Sequence, residues 1–229
     1  IPIYVTSLIP LALFPILGIL TAKTVSAAYI SHTVFLYFGG FVIALGMERW
    51  MLHRRIALKI LAAVGGSPRG VVLGFMLATA FLSMWISNTA TTLLMLPIAL
   101  SLLSSMDDLS PKRDETDAPT ERPLEIALLL GIAYSASIGG MITLVGTPTN
   151  VAFAEIFRRN FPDSPEISMG AWIVAFLPLG VAYLGLTWWL LCRTVDRKSD
   201  LDQNFFKDRL RGLGPMTSGE RKMLAIFLV

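Results

Sequence analysis

From Gly70 to Leu103 the chain runs for 34 residues without a charged side chain, yet near the middle stands a knot of small, mostly polar residues, Ser87-Asn88-Thr89-Ala90-Thr91-Thr92. A helix needs about 20 residues to cross a hydrocarbon core roughly 30 Å deep, so the run is too long for one crossing and its polar knot falls where polar groups cost most. Irregular backbone at that depth is tolerated only where it is buried in protein or lines a cavity. The run therefore points to a binding site inside a membrane.

Composition agrees. Hydrophobic residues make up 54% of the 229, charged residues 15%, and mean hydropathy is +0.65, outside the range of an ordinary soluble domain. Charge is also clumped, with none between Gly70 and Met106 or between Ile126 and Ala154. Net charge is +3, but basic residues gathered between apolar runs mark cytoplasmic loops of a membrane protein, which argues against nucleic acid as a partner. The single Cys192 excludes an internal disulfide framework and reads as a packing residue at a span's end. The chain opens at Ile1 and stops at Val229 inside an apolar run, as expected of part of a longer protein.

The apolar segments give an order of spans. Ile3 to Leu20 and Val34 to about Trp50 are the first two; Gly70 to Leu103 and Leu124 to Phe157 are overlong; Trp172 to Cys192 is a plain span, and another begins near Met223. Met51 to Val64 and Asp196 to Arg211 mix basic and apolar residues and read as amphipathic helices lying in the interface plane. Leu124 to Phe157 could cross once as a broken helix or twice as a hairpin. One crossing places sixteen of the nineteen basic residues on one side, leaving Lys23, Arg158 and Arg159 opposite; two crossings split them ten to nine. The positive-inside rule selects one crossing. Arg69 and Lys112 flank the other run on a common side, so Gly70 to Leu103 reads as a re-entrant helical hairpin with arms of about 17 residues, or ~25 Å. A tight pair of full spans has the same sidedness.

Both overlong segments carry the chemistry of an unwound centre. Ser87-Asn88-Thr89 marks one; Ser135-Ala136-Ser137-Ile138-Gly139-Gly140 and Gly146-Thr147-Pro148-Thr149-Asn150 mark the other, with glycine for unusual backbone and proline to remove a helical donor. Two polar breaks at matching depth are the recurring design of secondary-transporter sites, although Ser87-Asn88-Thr89 alone is as often structural and Gly139-Gly140 alone is more often a packing pair. Neither segment holds Asp or Glu, which disfavours a carboxylate proton relay, and neither holds Lys or Arg. An anion would be met by hydroxyls, the Asn88 amide, backbone N-H groups and a bound cation. Neutral oxygens of Ser83, Ser87, Asn88 and loop carbonyls suit a hard cation such as sodium. His32 and His53 are isolated, so no transition-metal cluster is expected.

Ser87-Asn88-Thr89 followed by Gly139-Gly140-Met141-Ile142-Thr143-Leu144-Val145-Gly146-Thr147-Pro148-Thr149-Asn150 resembles the signature pair of the divalent anion/sodium symporters, the sodium-coupled dicarboxylate and citrate transporters. The resemblance covers essentially the whole chain, with Thr149 standing where many members have a second proline. It implies an all-α integral membrane protein of the inverted-repeat, elevator type, of which this chain is one repeat, working as a homodimer in a cell membrane. It implies scaffold helices over 1–50, an amphipathic arm over 51–67, a re-entrant hairpin over 68–105, a cytoplasmic loop over 106–123, transport-domain helices over 124–192 (124–157 discontinuous), a second arm over 193–219 and the start of another span over 220–229. It further implies a sodium site from Ser83, Ser87, Asn88, Gly139 and Gly146, and a carboxylate site from Ser87, Asn88, Thr89, Gly146, Thr147 and Pro148. Sodium is then the coupling ion, with no organic cofactor. A sodium-independent carboxylate exchanger on the same fold is the near alternative. A membrane-embedded enzyme or a channel is the distant one, since no Ser/His/Asp or Cys/His arrangement is found.

Overall fold

The computed structural model describes residues 2–30, 32–64, 66–109, 123–195 and 205–228, and among them every regular element is a helix. In chain order these are α1 (Ile3–Ile16), α2 (Ala22–Tyr29), α3 (His32–Arg49), α4 (Leu52–Val64), α5 (Pro68–Ser83), α6 (Asn88–Leu109), α7 (Pro123–Ile142), α8 (Pro148–Asn160), α9 (Met169–Leu191), α10 (Phe205–Gly212) and α11 (Ser218–Leu228). Three stretches are long and apolar enough to cross a membrane, Asn88–Met106, Pro123–Ile142 and Met169–Leu191. Their starts are set locally. Ser67 and Ser168 cap α5 and α9 by accepting from the N-H groups of Gly70 and Ala171 at 3.1 and 3.2 Å, and prolines stand in the first turns of α5 and α8, where the missing donor costs nothing.

The first expected span is shorter than the hydropathy suggests. α1 has 14 residues, about 21 Å of helix. Gly18 ends it at φ +68°, with Ile19 N-H donating to the Phe14 carbonyl at 3.0 Å and Gly18 N-H to Pro15 at 3.2 Å. That paired closure around a left-handed glycine is a Schellman stop, and hydropathy is blind to it. The chain then forms α2, capped by Thr21, a helix between the two expected spans. The Tyr29 hydroxyl donates to the Ser7 carbonyl at 2.5 Å and ties α2 back to α1.

Helices α5 and α7 are the heart of the packing, and they run parallel. Gly131 lies against Met76 and Val72, Gly139 against the Ala80 backbone, and Ser83 against Ala136, a register in which both chains advance together. A Cβ at Gly139 would overlap the Ala80 carbonyl, so the close approach of the two backbones requires glycine there. α6 returns beside α5. α10 bridges the two, reaching Phe75 on α5 through Phe206 (ring centroids 5.9 Å apart) and Ser101 on α6 through Arg209 at 2.5 Å, both well away from the turn that joins the helices. α5 and α6 thus pair as two arms joined at a turn, the second arm being 22 residues long.

α9 comes back antiparallel to α7 and closes the unit. Its Trp172 indole donates to the Met141 carbonyl at 3.1 Å, and its Trp188 indole donates to the Arg69 carbonyl at 3.0 Å. Arg69 in turn donates to the Val195 carbonyl from Nε and Nη2 at 3.1 and 3.0 Å. The end of α9 therefore sits beside the beginning of α5.

The first amphipathic segment forms α4 as expected, but its basic face does not all point to lipid. His53 and Arg55 are buried. Arg55 pairs with Glu220 on α11, while its remaining N-H groups donate to the carbonyls of Gly214 and Leu213 at 2.8 and 3.3 Å. Leu58 and Leu61 of α4 are buried in the core that α5 shares. Of the second amphipathic segment, α10 is described; residues 196–204, like 110–122 of the expected cytoplasmic loop, lie outside the described residues. Cys192 is buried at the end of α9.

Candidate functional site

Each overlong segment is interrupted where the polar residues stand. α5 ends at Ser83 and α6 begins at Asn88; α7 ends at Ile142 and α8 begins at Pro148. The two breaks meet. The Thr143 hydroxyl, from the second, donates a short hydrogen bond to the Met84 carbonyl of the first. The Asn88 side chain lies against Gly140, where a Cβ would collide with the amide. α3 adds a third wall, since a Cβ at Gly40 would stand 3.0 Å from Val145.

The second break is stapled by its own side chains. Asn150 Nδ2 donates to the carbonyls of Gly140 and Thr143 at 2.9 and 2.7 Å, and Gly146 N-H donates to Thr143 Oγ1 at 3.0 Å. Carbonyls that lost their partners where α7 stops regain them from one amide on α8, as buried backbone groups require. Gly146 folds so close to the Gly140 backbone that a Cβ would come within 2.5 Å of its carbonyl oxygen.

At the junction three neutral oxygens converge. Ser83 Oγ stands 2.7 Å from Asn88 Oδ1 and 2.7 Å from the Ala136 carbonyl. A serine hydroxyl has one proton, so it satisfies one acceptor at a time. Turning the amide is the remaining option, since its orientation is assigned from its surroundings. A hard monovalent cation fits this set: it would engage Ser83 Oγ, Asn88 Oδ1 and the Ala136 carbonyl together without a carboxylate. Among the described residues there is no group of three or more His, Cys, Asp or Glu able to hold a metal ion.

Of the residues singled out in the sequence, Ser83, Asn88, Gly139, Gly140 and Gly146 are brought to this junction. Ser87 and Thr89 are exposed at the tip, and Ser87 Oγ accepts from Ala90 N-H at 3.3 Å. Thr147 and Pro148 open α8, Pro148 exposed, with Thr147 Oγ1 3.2 Å from Thr149 Oγ1. The Ala136 carbonyl and the stapling roles of Thr143 and Asn150 were missed. An alanine carbonyl gives no signal in a sequence. Asn150 stood within the quoted motif and was passed over because its partners are backbone atoms.

The whole chain, residues 1–229, matches the family model described as citrate transporter. It is similar to the sodium-dependent dicarboxylate transporter SdcS of Staphylococcus aureus, in strains NCTC 8325 and COL, each 39% identical over 234 aligned residues. Those alignments cover all of this chain and 44% of each relative, so the chain spans less than half the length of the curated relatives it matches. The match along its entire length, together with three described stretches long and apolar enough to cross a membrane, makes this chain a member of the citrate transporter family.

Proposed function

We propose that the protein is a sodium-coupled symporter of di- or tricarboxylates such as succinate, malate or citrate, and that this chain supplies one of its two inverted halves. The observation that carries the reading is the meeting of the two breaks around Ser83 Oγ, Asn88 Oδ1 and the Ala136 carbonyl, within 2.7 Å of the serine oxygen. The sodium-dependent dicarboxylate relative supports sodium as coupling ion and a carboxylate as substrate.

Sodium, when bound, supplies a positive charge next to an anion-binding face. Ser83 and Asn88 hold it, with Ser87, Gly139 and Gly146 completing its surroundings. The substrate carboxylate meets Asn88 together with Ser87, Thr89, Gly146, Thr147 and Pro148, at the N-terminal ends of α6 and α8. Those helix ends present free N-H groups and a positive dipole to an anion, and the exposed hydroxyls of Ser87 and Thr89 face outward from the tip. The ion thus raises affinity for the anion through charge.

Residues 70–192 form the moving unit and helices within 1–50 the fixed frame of an elevator, working as a homodimer. A single crossing by α7 and α8 together is supported by the adjacency of Arg69 and Val195, which puts the ends of the unit on one side. The full-length protein contributes a second Ser-Asn-Thr-like break from the opposite side. Succinate uptake by proteoliposomes holding the full-length protein tests the reading: uptake that requires an inward sodium gradient is expected, and counterflow that proceeds equally without sodium identifies an exchanger instead.

A further inference from the structure

One helical turn from the oxygen cluster, three buried hydroxyls have no partner. Thr79 on α5, Thr91 on α6 and Ser135 on α7 are 0%, 1% and 0% exposed, and none of the three oxygens makes a hydrogen bond. Serine and threonine inside helices usually turn the hydroxyl onto the carbonyl one turn back. None of these three does.

Register places them together. On α5 the face toward α7 is Val72, Met76, Ala80 and Ser83, which meet Gly131, Gly139 and Ala136; Thr79 belongs to that stripe, one turn before Ser83. On α7 Ser135 falls midway between Gly131 and Gly139. Thr91 lies one turn along α6 from Asn88, whose side chain touches Ser83 and Gly140, and is followed on the same buried face by Met95. α6 leads back from the tip beside α5, so Thr91 descends to the level of Thr79 and Ser135, about 5 Å from the cluster.

We propose that Thr79, Thr91 and Ser135 jointly hold one internal water, which forms the floor of the cation site. An internal water typically makes about three hydrogen bonds to groups otherwise unsatisfied, and three hydroxyls, each able to donate and to accept, are a matching set. The three are hydroxyls alone, without the carbonyl and amide oxygens that the Ser83 cluster offers a cation, which makes water the occupant. Its link to the ion rests on the sodium reading above: outer partners fix the orientation of the groups that touch an ion, and Thr79 and Thr91 lie on the same helices as Ser83 and Asn88.

The test uses the purified full-length protein carrying Thr79→Val, Thr91→Val, Ser135→Ala, and the Thr79→Val/Ser135→Ala pair. Each single variant melts below wild type, and the pair loses less than the sum of its members, because two groups on one water are coupled. Single variants that melt at or above wild type overturn the proposal, since they mark orphan hydroxyls better replaced by methyl groups. Strictly additive losses overturn it too. The sodium concentration for half-maximal thermal protection rises about tenfold in the single variants, with maximal uptake retained; an unchanged midpoint removes the link to the ion. A fall in the number of sodium ions coupled per substrate makes the occupant a cation and refutes the water. A wild type that sodium does not protect refutes the symport reading, while the melting cycle still decides the water.

Discussion

Arg55 Nε donates to Glu220 Oε1 at 2.8 Å, joining two helices 165 residues apart in the chain. Glu220 answers two demands. Its other oxygen accepts from Thr217 N-H at 2.7 Å while its own N-H donates to Thr217 Oγ1 at 3.2 Å, a reciprocal capping box at the start of α11. α11 is seated further by Trp50, which packs on Gly219, and by Met223 against Gly46 of α3. The corner between α3 and α4, where Met51 takes φ +54°, is thereby fixed to α11.

Because the pair is buried, breaking one side strands a charge. Glu220→Leu is expected to destabilise by about 3 kcal/mol, and the Arg55→Met/Glu220→Leu combination to recover most of it. The Arg55 hydrogen bond holds the Glu220 carboxyl below its ordinary value of 4.5. A carboxylate with a depressed folded-state value contributes stability that is full above its unfolded value and lost as pH falls through the folded one. Melting followed against pH should therefore show acid loss below about 4.5 in wild type, and a flatter profile in the double variant.

Asn88→Ala should abolish sodium-dependent uptake in the full-length protein without unfolding it. The Ser83 hydroxyl keeps the Ala136 carbonyl at 2.7 Å as a partner, so no buried donor is orphaned. Thermal protection by sodium should vanish in the same variant. Near wild-type uptake would remove Asn88 from the site.

Two adjacent glycines should respond differently to one methyl group. At Gly139 a Cβ meets Ala80 backbone, which cannot yield without separating α5 from α7; at Gly140 it meets the Asn88 amide, a side chain that can swing away. Gly139→Ala is expected to cost about 2 kcal/mol or more as an overpacked core. Gly140→Ala should express and melt near wild type but lose sodium affinity. Equal losses of folded protein from both would contradict this ordering.

Sidedness is testable by single cysteines in a Cys192→Ala background. A cysteine beside Arg158 should react with an impermeant reagent applied outside, and cysteines beside Lys112 or Lys207 should not. External labelling at the Lys207 position would mean two crossings by residues 124–157.

Hydropathy and small polar residues made both breaks legible, and with them the order of most helices. They could not reveal that the breaks touch, because Thr143 reaches Met84 and Ser83 reaches Ala136 through backbone oxygens that every residue carries. α1 was overextended because its stop is a backbone device at Gly18 rather than a loss of apolar character. Arg55 was placed against lipid because one of several basic residues on an amphipathic helix looks the same whether it faces headgroups or a carboxylate at position 220. Thr217-Ser218-Gly219-Glu220 was readable as a helix start and went unused.

The clasp of Arg69 on the Val195 carbonyl, with Trp188 on the Arg69 carbonyl, gives everything between those residues a single doorway. A body whose incoming and outgoing strands leave from one corner can tilt about that corner without drawing its tethers apart. The two breaks stand at the end of that body farthest from the doorway, where any tilt about the corner displaces them most.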